Sequence, residues 1–494
     1  MTKIRIGIAT LLLATAGNTF AGGILTNTNQ SVAFLKNPAR DAAIGIDGVY
    51  SNPAGVAFMP DGFHLAFNWQ YARQTRTVTS TNPLFLLGRK NDSATKTFEG
   101  VADAPFIPSL QAAWNKGDWS LQLNFSIPGG GGVCEFENGL GSFESALAMI
   151  AKQLEPLGAR GYDANAYMRG RQYYFGIQIG AAYKVTPNLS VYGGLRALYG
   201  DASYKARMSD IQVRTANDAY VDFGSFLNNA MAEINKQVWQ AELAVAQGMI
   251  TPEQAALGID KATAALAQLE TLQKYSQGVN LMSNQTGFGI APVLGIDWKT
   301  DRVNIAAKYE FNTQMKMRNN STLEKATEIE SLNKFQDGTE VDEDAPALLA
   351  IGAQWTALPG VNINIGYHHY FDKSAHWYKH EEKKLGGGTN EYLAGVEWDI
   401  TDRINVSAGT QITRYQLTDE YMNDMSFVVN SYSYGFGMTY RLNKNIKASL
   451  AYFQTEYGNY DRVTEADPAT GATIVGDSFT RTNRVLGLGV EITI

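Results

Sequence analysis

The chain has almost no cysteine: Cys134 stands alone in 494 residues. An internal disulfide is therefore impossible, which excludes a disulfide-stapled scaffold. Long apolar runs are missing as well. After residue 21 no stretch of about 18 apolar residues occurs, so there is no candidate for a spanning helix. Positive charge is in deficit, with 41 Lys and Arg against 48 Asp and Glu and a formal net charge of −7. The charges are scattered, and nucleic acid is not expected as a partner. Histidine is scarce, at five residues, and no P-loop is present.

Glycine and aromatics are plentiful instead, with 48 Gly, 25 Tyr and 22 Phe. They fall in a pattern of period two. In "FHLAFNWQY" Phe63, Leu65, Phe67, Trp69 and Tyr71 alternate with His64, Ala66, Asn68 and Gln70. "WSLQLNFSI", "YSYGFGMTYRL" and the final "LGLGVEITI" repeat the alternation, with polar residues or glycine on the second face. The pattern predicts about fourteen strands, near 63–79, 106–115, 118–127, 171–185, 188–206, 284–299, 302–318, 345–356, 361–372, 390–400, 403–416, 430–442, 445–458 and 481–494. Most reach the roughly 9–11 residues that a tilted spanning strand needs.

Connections alternate between tight turns ("NKGD", "TPN", "KTD", "ALPG", "ITD", "NKN") and long polar loops. That asymmetry belongs to an outer-membrane barrel. Trp114, Trp119, Trp298, Trp355 and Trp398 each sit beside a tight turn on the apolar face, where an aromatic girdle is expected. The expected fold is all-β: a membrane-spanning antiparallel β-barrel of about 14 strands over 61–494, with short turns and both termini on the periplasmic side.

Residues 1–21, "MTKIRIGIATLLLATAGNTFA", read as a signal peptide. Gly22 rather than Cys follows the expected cut, so no lipoprotein anchor is expected. One segment breaks the strand period. Residues 225–278 are rich in Ala, Leu, Glu and Gln, and Thr251, Pro252 and Gln254 form a helix-start signature. A helical hairpin is expected in the third extracellular loop, and a shorter helix, "SFESALAMIAKQL", in the second. Met231, Ile234, Val238, Ile259 and Leu266 form apolar stripes on the hairpin. They are candidates for a ligand groove, or equally for the inner face of a folded cap.

Signals for chemistry are weak. His376 and His380 have i, i+4 spacing beside Glu381 and Glu382, but no third ligand is placed, so no metal is expected. His368 and His369 near a strand end lack a marked nucleophile. No enzyme activity and no cofactor are expected.

Residues 22–60 are turn-rich yet carry Phe34, Leu35, Ile44, Ile46, Val49, Tyr50, Val56 and Phe58. So much apolar material argues for a plug inside the lumen rather than a dangling tail. "YSNPAGVAF" runs straight from this segment into the first strand. In this context Asn52, Pro53, Ala54 and Gly55 resemble the Asn-Pro-Ala hatch motif of the FadL/TodX family, outer-membrane transporters of long-chain fatty acids and aromatic hydrocarbons. The resemblance spans the whole chain. It implies passive transport of hydrophobic molecules, captured by extracellular loops and passed through a monomeric, hatch-gated barrel. Membrane lipid, lipopolysaccharide and the barrel-assembly machinery are the other implied partners.

The family's kinked third strand, with its lateral opening, maps onto Pro128, Gly129, Gly130, Gly131 and Gly132, where ladder hydrogen bonds are easily lost. Arg196, Lys205, Arg169 and Arg171 are candidates for binding a carboxylate. A second Asn-Pro-Ala, at residues 37–39, has no transferable role. The final residue, Ile494, departs from the aromatic that ends many such barrels. From another class, a surface adhesin or structural barrel with a host or phage partner is the alternative.

Overall fold

The computed structural model describes residues 26–89, 93–324, 334–468 and 470–494. The expected signal peptide lies outside the described residues. Eighteen strand segments form one sheet. Three barrel strands are each interrupted once, and the short segment Tyr220–Asp222 only extends a loop, so fourteen strands make the wall.

In chain order these are β1 (Gly62–Thr81), β2 (Thr95–Lys116), β3 (Trp119–Phe136), β4 (Ala159–Thr186), β5 (Leu189–Thr215) and β6 (Val279–Lys299). Next come β7 (Val303–Glu310, resuming at Lys316–Glu324), β8 (Glu340–Asp342, resuming at Leu348–Leu358), β9 (Val361–Tyr370) and β10 (Thr389–Asp399). The last four are β11 (Ile404–Arg414), β12 (Ser431–Arg441), β13 (Ile446–Tyr457, resuming at Tyr460–Ala466) and β14 (Thr473–Thr493). Every neighbouring pair is antiparallel, and β14 closes on β1 with Trp69 opposite Leu488 and His64 opposite Thr493. The seam ends in paired backbone bonds between Phe63 and Ile494, at the rim that carries the tight turns. A closed barrel leaves no unpaired edge for the bilayer to solvate.

Helices occupy the lumen and the loops. α1 (Val32–Lys36) and α2 (Gly48–Ser51) precede the barrel. α3 (Gly141–Gln153), α4 (Phe223–Ala246) and α5 (Pro252–Gln273) lie in the long connections. Thr251 caps α5 in a reciprocal pair with Gln254, as its sequence signature requires. Among the described residues, no helix is long and apolar enough to cross a membrane.

Strand alternation sorts side chains by face. Phe67, Leu121, Ile179, Leu195, Phe288, Ile365, Phe436 and Leu488 point outward into a continuous apolar belt, while Gln70, Gln122, Gln178 and Ser433 point inward and are buried. The five turn-side tryptophans are 45–55% exposed on the outer wall.

The expected bounds of four strands need correction. The second strand starts at Thr95 rather than 106, because Pro105 and Pro108 interrupt its alternation without ending it. The third strand continues through Pro128–Gly132 to Phe136 instead of stopping there. β4 and β5 also extend well beyond the belt, because their upper ends are wet on the outside and carry no apolar stripe to read.

The belt makes a simple prediction. Leu488→Arg places a charge on the lipid-facing wall and should cost about 2–4 kcal/mol, read as a lower denaturant midpoint in lipid vesicles.

Candidate functional site: a filled lumen beside a gap in the wall

The chain ahead of β1 folds back inside the barrel. From Asn27 to Ala57 nearly every residue is buried. Ser31 caps α1, accepting the Phe34 amide at 3.1 Å. The wall facing α1 and the turn after it is built of glycine. Gly352 and Gly366 lie against Asp41, Gly395 against Asn37, Gly409 against Pro38, Gly435 against the Leu35 carbonyl and Gly487 against the Leu35 side chain. A methyl group at any of these positions would collide with the segment. The inner wall from β8 to β14 is thus a seat, and the second Asn-Pro-Ala, at residues 37–39, rests on it. Asn37 also closes its own turn by accepting the Ala39 amide at 3.1 Å.

The first motif, Asn52, Pro53, Ala54 and Gly55, anchors the other end. The Asn52 side chain donates to Asp297 at 2.6 Å and accepts the Gly55 amide at 3.2 Å. Asn304 donates to the same Asp297 oxygen and to the Ala42 carbonyl. Gln122 donates to the Pro53 carbonyl at 2.7 Å, and Ser190 donates to that of Ala54 at 2.7 Å. One turn is held by β3, β5, β6 and β7. This is how irregular backbone survives away from water: side chains of the wall satisfy it.

Charged groups lock the middle. Arg40 forks onto Asp47 at 2.8 and 3.0 Å and also pairs with Glu397. Asp41 meets His368 at 2.8 Å, and the other nitrogen of that ring faces Glu391 at 2.8 Å. The Tyr50 ring lies 4.7 Å from both Arg196 and Lys308, while Glu310 pairs with both cations. Arg196 therefore faces the lumen but already holds a carboxylate of its own. Lys205, Arg169 and Arg171 lie on the outward face of β4 and β5, with Arg171 paired to Asp201 at 2.8 Å. They do not face the lumen, contrary to expectation, because the strand alternation puts them in phase with the lipid-facing Ile177 and Ile179.

Pairing in the wall lapses between β2 and β3. β2 and β3 pair from Val101 to Asp103 and again from Leu110, but not between. β3 is buried from Ile127 to Gly130, and its pairing with β4 slips on both sides of Gly129–Gly130. Gly130 and Gly132 have φ of 67° and 130°, which favour glycine. Pro105 and Pro108 stand opposite, lacking the N–H groups a ladder would use. Sequence reading singled out Pro128–Gly132 but missed Pro105 and Pro108. Two prolines inside an otherwise alternating strand were the available signal.

The gap is closed from within. Thr26 bridges Gly129, and the Asn27 amide donates to the Pro128 carbonyl at 2.8 Å. Gln30 serves as a strand partner through its side chain. Its amide nitrogen donates to the Ile127 carbonyl and its oxygen accepts the Ile127 amide, both at 3.1 Å. Ser109 on β2 donates to the Gln30 carbonyl at 2.6 Å, so the residue spans the opening.

The hairpin residues sit elsewhere. Ile234 is buried, and Met231 and Leu266 pack against the same apolar cluster. Val238 and Ile259 are half-buried on the same two helices. The stripes line the α4–α5 contact region more than an open groove. His376 and His380 are largely exposed and each faces one carboxylate, Asp344 and Glu382 respectively. A concavity of about 620 Å³ is bordered by Trp398, Phe436, Met438 and Leu486 on the lipid-facing wall, outside the lumen.

No protein-family model matches the sequence, and no curated relative does. Solved structures do. A Pseudomonas aeruginosa FadL homologue superposes with a TM-score of 0.59 at 11% identity, over 95% of this chain and 99% of that one. The toluene transporter TodX of Pseudomonas putida gives 0.52 at 12% identity, over 91% and 94%. The toluene transporter TbuX of Ralstonia pickettii gives 0.52 at 13%, over 94% and 98%. The chain has the FadL/TodX fold. At these identities the likeness is one of architecture. In this FadL/TodX barrel, the lumenal segment covers the gap between β2 and β3 from within.

Two variants probe the seat and the anchor. Gly435→Leu should push the Leu35 carbonyl off the wall and expose Lys36 and Arg40 to trypsin, while the barrel keeps its heat-modifiable migration. Asn52→Ala removes a bond to a carboxylate worth about 1.5–3 kcal/mol. Amide exchange at residues 48–58 should then speed up while exchange in the strands stays unchanged.

Proposed function

We propose that the protein carries hydrophobic molecules passively across the outer membrane, most simply long-chain fatty acids or similar lipids, with residues 22–60 acting as the hatch. The long loops then face the cell exterior, and the short turns and both termini face the periplasm. The observation that carries this reading is the closure of the β2–β3 gap by a few bonds from Thr26, Asn27 and Gln30 in place of a ladder. So few neutral bonds are lost at lower cost than a full ladder, so this segment can leave β3 while the barrel stays intact. Its departure joins the lumen to the lipid-facing wall.

Physics favours such a route for apolar cargo. A water-filled pore offers nothing to a molecule that avoids water, whereas burial of each methylene is worth about 0.8 kcal/mol. The solved proteins of this fold include two toluene transporters, which supports an apolar cargo here. The charged locks around Tyr50 and His368 fix the rest of the hatch to the wall, so the movement would be confined to its first residues.

A disulfide tests this. Thr26→Cys with Gly129→Cys, on a Cys134→Ser background, joins the hatch to β3 across an existing bridge. Cells relying on the oxidised protein should lose uptake of both a labelled long-chain fatty acid and a neutral hydrocarbon, and regain it on reduction. Uptake unchanged by oxidation, at full cross-linking, would rule out a gate at this site.

A further inference from the structure

Three cations that the hatch does not use stand together on the outside of the barrel. Arg169 on β4 and Lys205 on β5 are direct cross-strand partners, and Arg207 is the next outward residue beyond Lys205. Strand alternation points all three away from the lumen. Arg169 and Lys205 are half-buried and Arg207 is exposed. Like charges directly opposite one another destabilise a sheet. The chain as a whole carries a formal charge of −7, so this gathering of positive charge is not its average surface.

The neighbouring acids are bonded to other groups. Asp201 accepts two bonds from Arg171, at 2.9 and 2.8 Å. Asp210 accepts from the Asn165 side chain at 2.7 Å. Glu135, opposite Arg169 on β3, accepts the Tyr167 hydroxyl at 2.6 Å. Among the described residues, Arg169, Lys205 and Arg207 make no ion pair and no side-chain hydrogen bond. With Glu135 set against them, a surplus of positive charge remains, and it calls for an anion from outside the chain.

Height above the apolar belt selects that anion. Phe175 and Tyr199 are partners on the same two strands, at the top of the outward run that includes Ile177, Ile179 and Leu195. The rows above them, Tyr173 with Asp201 and Arg171 with Ser203, are polar. Arg169 and Lys205 form the third row. Three rows are about 20 Å of strand, or about 15 Å of height at a tilt of about 40°. The headgroup layer of a glycerophospholipid bilayer is only about 5–8 Å deep on each face. An anion at the level of the cluster is therefore carried on a taller headgroup, as phosphates on the sugars of a glycolipid are.

We propose that Arg169, Lys205 and Arg207 bind a sugar-borne phosphate of an outer-leaflet glycolipid whose acyl chains lie against Ile177, Ile179 and Leu195. The proposal rests on the outward placement of the long loops in the transport reading, and goes beyond it by giving the outer wall a lipid of its own. A phosphate accepts several charge-assisted bonds at once, from the guanidinium forks and from the lysine as a point charge. Seated between the cross-strand cations, it offsets their repulsion, so the lipid stabilises the strands that hold it. The long upper ends of β4 and β5 then have a use: they carry the cations to the height of the sugars.

The test is native mass spectrometry of the purified full chain in non-ionic detergent. Its probes are a rough-type lipopolysaccharide phosphorylated on its core sugars, the same lipid after dephosphorylation, and phosphatidylglycerol. Wild type should hold the phosphorylated glycolipid about tenfold or more tighter than either of the others, as expected for charged hydrogen bonds. Arg169→Gln, Lys205→Gln and Arg207→Gln combined should abolish that preference, and Lys205→Gln alone should reduce it. Removing three cations from the turn-side rim instead, with Arg403→Gln, Arg441→Gln and Lys444→Gln, should leave it intact. Inorganic phosphate at equal concentration should not displace the lipid. Equal binding of the dephosphorylated lipid or of phosphatidylglycerol would overturn the site. So would a preference that survives the first triple variant or falls as far with the second, or displacement by inorganic phosphate. Heat-modifiable migration checks that each variant is folded. Cells carrying the first triple variant should still take up a neutral hydrocarbon, so failure of this site and failure of the transport reading give different results.

Discussion

Everything inside this barrel answers to one constraint: a stretch of irregular backbone is buried where water cannot satisfy it. Each N–H and C=O of the lumenal segment needs a partner, and its own short helices supply few. The wall provides the rest through side chains that reach inward from Gln122, Ser190, Asn304 and Lys308. That requirement explains why the inner faces of these strands are amide- and hydroxyl-rich although they are buried. The same requirement explains the glycines. A wall cannot both bond to a backbone and stand off from it, so where the segment lies closest the side chains are removed altogether.

Two kinds of attachment divide the plug. On the β8–β14 side it rests on glycine and is pinned by Arg40 and Asp41 to Glu397 and His368. Buried pairs of this kind are costly to break singly, since the partner left behind is uncompensated. On the β3 side, Thr26, Asn27 and Gln30 meet the wall through neutral hydrogen bonds at a place where the ladder is already interrupted. Neutral bonds exchange with water at little net loss. The segment is thus strong where it is seated and weak where it meets the gap.

Much of the wall was legible in the sequence because lipid imposes a period of two that no other environment imposes so uniformly. All fourteen strands were found, and the tryptophans marked one rim. Legibility faded where the outer face leaves the bilayer. The upper ends of β4 and β5 and the start of β2 alternate only weakly, and their lengths were missed. The lumen was harder still. Asn52 could be placed by its Asn-Pro-Ala context, but Asp297, Asn304 and Gln122 come from strands far along the chain and carry no local signal.

That distance has a kinetic side. The plug is made first, but the glycine seat that receives it is spread over the second half of the barrel, ending at Gly487. Its partners are the last residues to be synthesised, and contacts so remote in sequence form late. Residues 26–60 must therefore wait without their final hydrogen bonds, and the barrel has to close with the segment already enclosed. The join between β1 and β14 is then more than the end of a sheet. It is the step that traps the plug, and a chain whose seam zipped ahead of its first sixty residues would be a complete barrel with nothing in it.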